Sequence, residues 1–373
     1  MKRLKIVADD KIPFLRGALE PVADVGYLPG GRIAREALRD ADALIIRTRT
    51  RCNRELLNGT PVRFIATATI GYDHIDRAYC DAAGIRWTSA PGCNAGSVRQ
   101  YVVSALVNLA HNHHFDLTEK TLGVVGVGHV GTQVAAAART LGMTVLLCDP
   151  PRQDRGDVEP FVSLAEILTK SDLVTLHVPL TRDGGYPTFH LADDDFFAHL
   201  RPGAIFLNAA RGEVCSNPAL KNALKTGQVA AAVLDVWENE PDIDRELLAR
   251  TEYATPHIAG YSADGKANGT TMSVQAVSRF FGLGQDDWRV MAVPPPPEPE
   301  IVLPSGLAEA AALRLAVNRA YDLADDTRRL KAAPEQFEKQ RGDYPLRREF
   351  GAFVVTGAIP PVLTELGFQS VKS

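Results

Sequence analysis

The chain has 373 residues, 45% hydrophobic and 23% charged, which excludes a disordered chain or a small disulfide-stapled scaffold and predicts about two to three globular domains. A sum of 41 basic against 45 acidic residues leaves a net charge of −4, so no global basic field exists to recruit nucleic acid or a membrane surface, and any anion site must be local. The five cysteines (Cys52, Cys80, Cys93, Cys148 and Cys215) are widely spaced and lack a C-x-x-C pair, which predicts reduced thiols in a cytoplasmic protein without a cysteine-bound metal.

In chain order, LKIVADD reads as a first strand, because Asp9 and Asp10 interrupt the apolar run too early for a signal peptide. Strands are predicted over 41–48, 62–71 and 85–92, with helical stretches at 33–41 and 74–84. This alternation predicts a parallel sheet covered by helices. Val98, Tyr101, Val102, Ala105, Leu106 and Leu109 recur at helical spacing, predicting a connecting helix over 97–114. The His111–Asn112–His113–His114 run falls at its solvated end and reads as a helix terminus, not a metal site. Further strands are predicted at 171–180, 203–212, 228–237 and 252–260. The proline-rich stretch 291–304 reads as a semi-rigid spacer. Beyond it a long helix is predicted over 306–330, a strand over 349–358 and a short helix over 360–368, together a small α/β module. No apolar run approaches the roughly 18 residues of a membrane span.

Residues 121–151 read strand, glycine turn, helix, strand. Gly126, Gly128 and Gly131 form G-x-G-x-x-G, and the second strand ends in Asp149, 18 residues beyond Gly131. Glycines at those positions let backbone approach a pyrophosphate at a helix N-terminus, and an acid at about that distance accepts hydrogen bonds from ribose hydroxyls. The acid also repels a 2′-phosphate, which favours NAD over NADP. His129, inside the turn, is a residue beside the cofactor phosphates and not a catalyst.

Three later strands each deliver a polar residue: Arg211 after AIFLN, Asp235 and Glu240 after AAVL, and His257 after EYATP. Ligands in open α/β sheets bind outside the carboxyl ends of strands. An Arg, a Glu and a His suffice for hydride chemistry on a 2-hydroxy acid. The guanidinium takes the carboxylate and polarises the neighbouring carbonyl. The imidazole accepts and returns the hydroxyl proton. The carboxylate fixes the ring tautomer, and the cofactor carries the hydride.

The segments ATIGYDHID (68–76), GVVGVGHVG (123–131), HVPLT (177–181), NAARG (208–212), LDVWENEP (234–241) and TPHIAG (255–260) resemble the D-isomer-specific 2-hydroxy acid dehydrogenases. The resemblance implies that Arg211, Glu240 and His257 are catalytic and that Asp235 contacts the nicotinamide end of NAD. It carries His129, Val130, Val178, Ala209, Ala210 and Gly260 over as further cofactor positions, and Thr48, Thr69 and Tyr261 as substrate contacts. The implied fold is α/β, with two Rossmann-like lobes and a small C-terminal α/β dimerisation domain. The substrate-binding, flavodoxin-like lobe takes residues 1–95 completed by 257–285, and the NAD-binding lobe takes 96–256. A proline-rich linker (286–304) leads to the dimerisation domain (305–373). RTRTRCN (47–53), APGCNAGSV (90–98), LCDPPRQDRGD (147–157) and HIAGYSADGKANGT (257–270), with the linker and tail, narrow the resemblance to one branch. Its members are cytoplasmic homodimers that oxidise 4-phospho-D-erythronate to 2-oxo-3-hydroxy-4-phosphobutanoate in pyridoxal 5′-phosphate biosynthesis. Two positions depart from the family pattern: Ala210 stands where a Cys is usual, and Gln100 where the interdomain helix usually carries a Glu.

The residues themselves leave two alternatives open. One is another D-2-hydroxy acid dehydrogenase, such as a 3-phosphoglycerate enzyme, although the tail shows no βαββαβ sensor pattern. The other is a non-catalytic NAD-sensing binding protein of the same fold. A phosphorylated substrate needs a second cation beside Arg211. On an extended chain Arg47, Arg49 and Arg51 would share one face and form that site. Arg347 and Arg348 in the tail are a second candidate, reaching into a partner subunit. Cys93 has no companion His in sequence and reads as structural.

Overall fold

Short apolar runs bounded by turns build three parallel sheets in this chain, a computed structural model that describes residues 3–370. The first holds β1 (Lys5–Asp9), β2 (Asp24–Leu28), β3 (Ala43–Ile46), β4 (Phe64–Thr67) and β5 (Arg86–Thr88), in the order β2-β1-β3-β4-β5. That is the flavodoxin-like strand order. β3 and β4 are buried along their whole length because both faces are covered. Alternate residues divide between the faces. Ile6, Ala8, Ile45 and Phe64 pack with Val274 and Val277 of the helix Ala263–Phe281, while Val7, Leu44, Ile46 and Ile65 pack with Leu38, Leu57 and Cys80. These elements form one compact unit, residues up to Asn94 with Ser262–Pro294.

The second unit comprises Ala95–Tyr261 and the chain from Pro295 onward. Its sheet contains β6 (Thr121–Val125), β7 (Thr144–Cys148), β8 (Leu173–Leu176), β9 (Ala204–Asn208), β10 (Val229–Leu234) and β11 (Tyr253–Ala254), in the order β11-β10-β9-β8-β6-β7. The order reverses between β6 and β8, the switch point where α/β sheets open a ligand crevice. The helix Ala95–Asn112 buries Val98, Tyr101, Val102, Ala105, Leu106 and Leu109, the stripe read from the sequence.

The tail adds β12 (Glu300–Leu303), β13 (Val354–Gly357) and β14 (Gln369–Ser370), paired in that order and parallel. β12 uses the last residues of the proline-rich stretch, where Ile301 and Leu303 point inward. The tail shares its core with the helix Ala95–Asn112: Leu313, Val317, Phe350, Phe353, Leu363 and Phe368 belong to the same apolar cluster as Val102, Leu106 and Leu109.

Three local expectations differ from the structure. The stretch 33–41 forms only a short 3-10 turn, Arg35–Leu38. The long helix over 306–330 breaks into Glu309–Ala320 and Leu323–Ala332, because Asp322 caps the second helix by accepting from the Ala324 and Asp325 amides. The edge strand β2 was not anticipated, since its DVGYL sequence carries Asp and Gly, both disfavoured in strands. All five cysteines are buried and none is in a disulfide, and burial pushes four of the thiols up, to about 12 for Cys52, about 11 for Cys80 and Cys148, and well above the ordinary range for Cys215. No helix among the described residues is long and apolar enough to cross a membrane.

Candidate active site

The glycine turn leaves β6 and enters the helix His129–Thr140. Gly126 has φ +88°, and a Cβ there would meet the His177 carbonyl and Val178. A Cβ on Gly131 would collide with the Gly126 carbonyl. A Cβ on Gly128 would meet nothing, and Gly128 caps the helix without a side-chain acceptor. The turn is therefore closed on its protein side and open at the helix N-terminus. This cradle of backbone N–H groups at the switch point fits a dinucleotide pyrophosphate. His129 is the exposed first residue of the helix, followed by half-buried Val130. Asp149 follows β7, where its two carboxylate oxygens accept from the Val127 amide at 2.8 Å and the Arg152 amide at 3.0 Å. It thus ties the glycine turn to the end of β7. Under the turn, burial holds His177 neutral, down to about 4, with its Nε2 3.0 Å from the Thr175 hydroxyl.

Arg211, Asp235, Glu240 and His257 follow β9, β10 and β11, three adjacent parallel strands, so the topology brings them to one sheet edge. Asn208 holds the first loop: its amide donates to the Arg211 carbonyl at 2.9 Å and its oxygen accepts from the Ala210 amide at 3.0 Å. Arg211 Nη1 donates to the Ala210 carbonyl at 2.7 Å. Gly212 has no room for a Cβ, because the Trp237 carbonyl lies against it. That close approach welds the Arg211 loop to the Glu240 loop. The Trp237 amide donates to Glu240 Oε1 at 2.9 Å, and its indole N–H to the Thr255 carbonyl at 3.0 Å.

Glu240 Oε2 lies 2.8 Å from His257 Nδ1, with both side chains partly exposed. Burial pushes the Glu240 carboxyl up. The hydrogen bond and charge of His257, the Trp237 amide and Arg341 outweigh it and hold the group below the ordinary carboxylate range. Glu240 is therefore an anion that accepts the Nδ1 proton, and Nε2 is left as the basic nitrogen.

His257 has φ +58°, a left-handed backbone that costs a non-glycine residue about 1 kcal/mol or more and persists only where its surroundings impose it. Here they do. The His257 amide donates to the Asp235 carbonyl at 2.7 Å. The Asp235 carboxylate, 1% exposed, accepts from the Ile258 and Ala259 amides at 2.7 and 2.9 Å and from the Thr255 hydroxyl at 2.6 Å. Burial raises the Asp235 carboxyl despite these bonds. From the other side, Arg347 donates to the Ile258 and Ala259 carbonyls and to Ser97, whose hydroxyl also donates to Ala259 at 2.8 Å. Arg347 is 6% exposed and stacks over the Tyr321 ring at 4.3 Å. The peptides after His257 are thus gripped through their amides by β10 and through their carbonyls by the tail.

Several expectations need correction or addition. Arg347 cannot reach a partner subunit, being buried on its own chain's His257 loop. Arg47, Arg49 and Arg51 do not share a strand face. β3 ends at Ile46, the chain turns with the Thr50 amide on the Arg47 carbonyl, and Arg47 is paired with buried Asp9 at 3.1 Å. Thr48 and Thr69 follow β3 and β4 in the first unit, with Thr69 Oγ1 2.7 Å from Thr67 Oγ1. Gln100 is fully buried and donates to the Arg348 carbonyl at 3.0 Å, so it anchors the tail. Sequence reasoning missed Asn208 and Trp237, although both stand inside the motifs that flagged their neighbours. It also missed Arg341, whose Nε donates to the Tyr261 hydroxyl at 3.1 Å and whose Nη1 lies 4.0 Å from Glu240. Nothing local in the sequence announces that contact.

Comparison with known proteins sets this geometry in a family. The D-isomer specific 2-hydroxyacid dehydrogenase NAD binding domain matches residues 96–259, and a domain of unknown function matches 292–367. A Bacteroides fragilis erythronate-4-phosphate dehydrogenase is 52% identical over 94% of this chain and 98% of its own. An Escherichia coli enzyme of the same name is 43% identical over 99% of both chains. The structure of Aquifex aeolicus D-lactate dehydrogenase complexed with NAD and lactic acid is similar with a TM-score of 0.60 and 25% identity, covering 74% of this chain and 95% of that one.

Proposed function

The chain belongs to the erythronate-4-phosphate dehydrogenases of the D-isomer-specific 2-hydroxy acid dehydrogenase family, and from that membership we propose that it oxidises 4-phospho-D-erythronate to 2-oxo-3-hydroxy-4-phosphobutanoate with NAD as cofactor. The observation that carries the chemistry is the His257–Glu240 pair at 2.8 Å, welded through Trp237 to the Arg211 loop. Arg211 binds the substrate carboxylate and draws electron density from C2. His257 Nε2 accepts the C2 hydroxyl proton, and Glu240 stabilises the imidazolium that results. NAD, when bound, would supply the acceptor for the C2 hydride. The turn at Gly126, Gly128 and Gly131, with His129 and Val130, would hold its pyrophosphate, and Asp149 its ribose. Val178, Ala209, Ala210, Asp235 and Gly260 line the rest of its site. Thr48, Thr69 and Tyr261 contact the substrate. Residues 1–95 with 257–285 form the substrate lobe, 96–256 the NAD lobe and 286–304 the linker, and 305–373 pair two subunits into a cytoplasmic homodimer. The reaction serves pyridoxal 5′-phosphate biosynthesis.

A substrate panel tests the reading: purified protein with NAD and a 2-oxo acid acceptor, offered 4-phosphoerythronate, 3-phosphoglycerate or D-lactate. We expect 4-phosphoerythronate to give the highest kcat/KM. Robust turnover of another acid with none of 4-phosphoerythronate overturns the assignment. Sedimentation equilibrium tests the homodimer, and a monomer at micromolar concentration counts against it.

A further inference from the structure

The proposed substrate carries two anions, a carboxylate at C1 and a phosphate on C4, and Arg211 accounts for one. The tail supplies another cation beside the catalytic pair. Arg341 lies on the helix Phe337–Gly342. Its Nε donates to the Tyr261 hydroxyl at 3.1 Å, and its guanidinium lies 5.8 Å from that ring's centroid. Its Nη1 is 4.0 Å from Glu240 Oε2, the oxygen bonded to His257. The guanidinium and the catalytic imidazole therefore flank one carboxylate. The Arg341 side chain is 23% exposed, so it is held in place yet still reaches solvent.

Of the other tail cations, Arg347 is only 6% exposed: its Nη2 donates to the Ile258 and Ala259 carbonyls and to Ser97, and its guanidinium lies over the Tyr321 ring, with Nε and Nη1 buried and making no hydrogen bond. In the first unit, Arg47 is committed to Asp9.

Resting on the reading of the substrate as a phosphorylated hydroxy acid, we propose that Arg341 and Tyr261 bind the substrate's terminal phosphate and set the preference for phosphorylated over unphosphorylated acids. The substrate has length to span the two groups: two C–C bonds and a C–O–P bridge separate C2 from phosphorus by roughly 5 Å, and Arg341 and His257 each contact the same Glu240 oxygen, at 4.0 and 2.8 Å. The charges agree: a carboxylate and a near-dianionic phosphate call for two cations, and Glu240 is already matched by His257 when the ring takes a proton. The geometry also suits a phosphate. At 4.0 Å the Glu240 contact is at the limit of an ion pair and not a bidentate clamp, so the guanidinium keeps donors for a second anion. Tyr261 accepts from Arg341, which orients the phenol with its own proton directed elsewhere.

The test compares kcat/KM on 4-phosphoerythronate and on erythronate for wild type, Arg341→Gln and Arg341→Lys. A charge-assisted phosphate contact predicts a loss of about 10- to 100-fold on the phosphorylated acid in Arg341→Gln, mostly in KM, with partial recovery in Arg341→Lys. On erythronate the loss is no more than a few fold, so the ratio of the two collapses. Equal losses on both acids would make Arg341 only a support for Glu240 and overturn the proposal. So would an unchanged KM. Inhibition by inorganic phosphate, competitive with substrate in the wild type, gives a readout on the site itself. Its constant rises by a similar factor in Arg341→Gln, and unchanged inhibition overturns the proposal. If Arg341→Gln does not fold, judged by Tm and NAD affinity, the charge-retaining Arg341→Lys carries the comparison, and the proposal then requires a raised phosphate inhibition constant in that variant. A wild-type protein that oxidises erythronate or D-lactate but never 4-phosphoerythronate refutes the substrate reading instead, a result distinct from any behaviour of the variants.

Discussion

Replacing Glu240 with Gln changes no heavy-atom shape, yet leaves the site two bad choices. In the native geometry Oε1 accepts from the Trp237 amide at 2.9 Å and Oε2 from His257 Nδ1 at 2.8 Å. If the Gln oxygen faces Trp237, its NH2 faces Nδ1, and the ring must carry its proton on Nε2, where it cannot accept the substrate's. If the oxygen faces His257, two N–H donors confront each other at Trp237. Either way a hydrogen bond to a charged group is lost, about 1.5–3 kcal/mol. The wrong tautomer adds to this, so we expect kcat to fall on the order of 10²–10⁴-fold with little change in KM. Steady-state appearance of reduced nicotinamide at saturating 4-phosphoerythronate measures it, with NAD affinity as the control for folding. A Glu240→Gln enzyme within tenfold of wild-type kcat, its NAD affinity intact, would refute the reasoning. The same substitution has a stability signature. Because the native carboxyl lies below its ordinary range, its contribution is present above that range and is lost as pH falls through the native value. The Tm difference between wild type and variant should therefore shrink on acidification, and a difference that grows there is the wrong sign.

Three further outcomes follow from the cradle and the core. Gly131→Ala pushes a methyl into the Gly126 carbonyl; NAD affinity by titration calorimetry should drop at least about tenfold, and unchanged affinity would remove the turn from the cofactor site. Asp149→Ser removes the charge expected to repel a 2′-phosphate, so the NADP-to-NAD ratio of kcat/KM should rise about tenfold; a constant ratio would mean the carboxylate serves only the Val127 and Arg152 amides. Phe350→Ala empties a fully buried site stacked on Phe368 at 4.5 Å. It should cost about 3–5 kcal/mol and lower the melting of NAD-binding and tail signals together, whereas a separate tail transition would contradict the shared core.

What the sequence announced was local chemistry in regular frames. Gly126, Gly128, Gly131 and Asp149 were legible because a strand, a turn and a helix enforce fixed spacing. Arg211, Glu240 and His257 stood out as candidates because each follows shortly after an apolar strand. The contacts that steady them were not. Arg347 grips residues 258 and 259 across nearly ninety positions of chain, and Gln100 reaches Arg348. Neither contact has a periodicity to betray it. The Arg47–Arg49–Arg51 face failed for a related reason: alternation holds only while the strand lasts, and buried Asp9 draws Arg47 away where the strand stops. The helix break at Asp322 was within reach, since a capping Asp followed by Asp325 and Asp326 in the first turn is a start signal inside an apolar stripe.

The grip of Arg347 on the His257 loop has a consequence for how the chain is made. Synthesis is vectorial, and domains generally fold as units once their last strand or helix has emerged. Here His257 precedes by ninety residues the arginine that secures the backbone after it, and the helix Ala95–Asn112 waits longer still for Phe350 and Phe368 to cover it. A nascent chain therefore carries every one of the site's motifs well before it carries the contacts that hold the loop after His257 in shape.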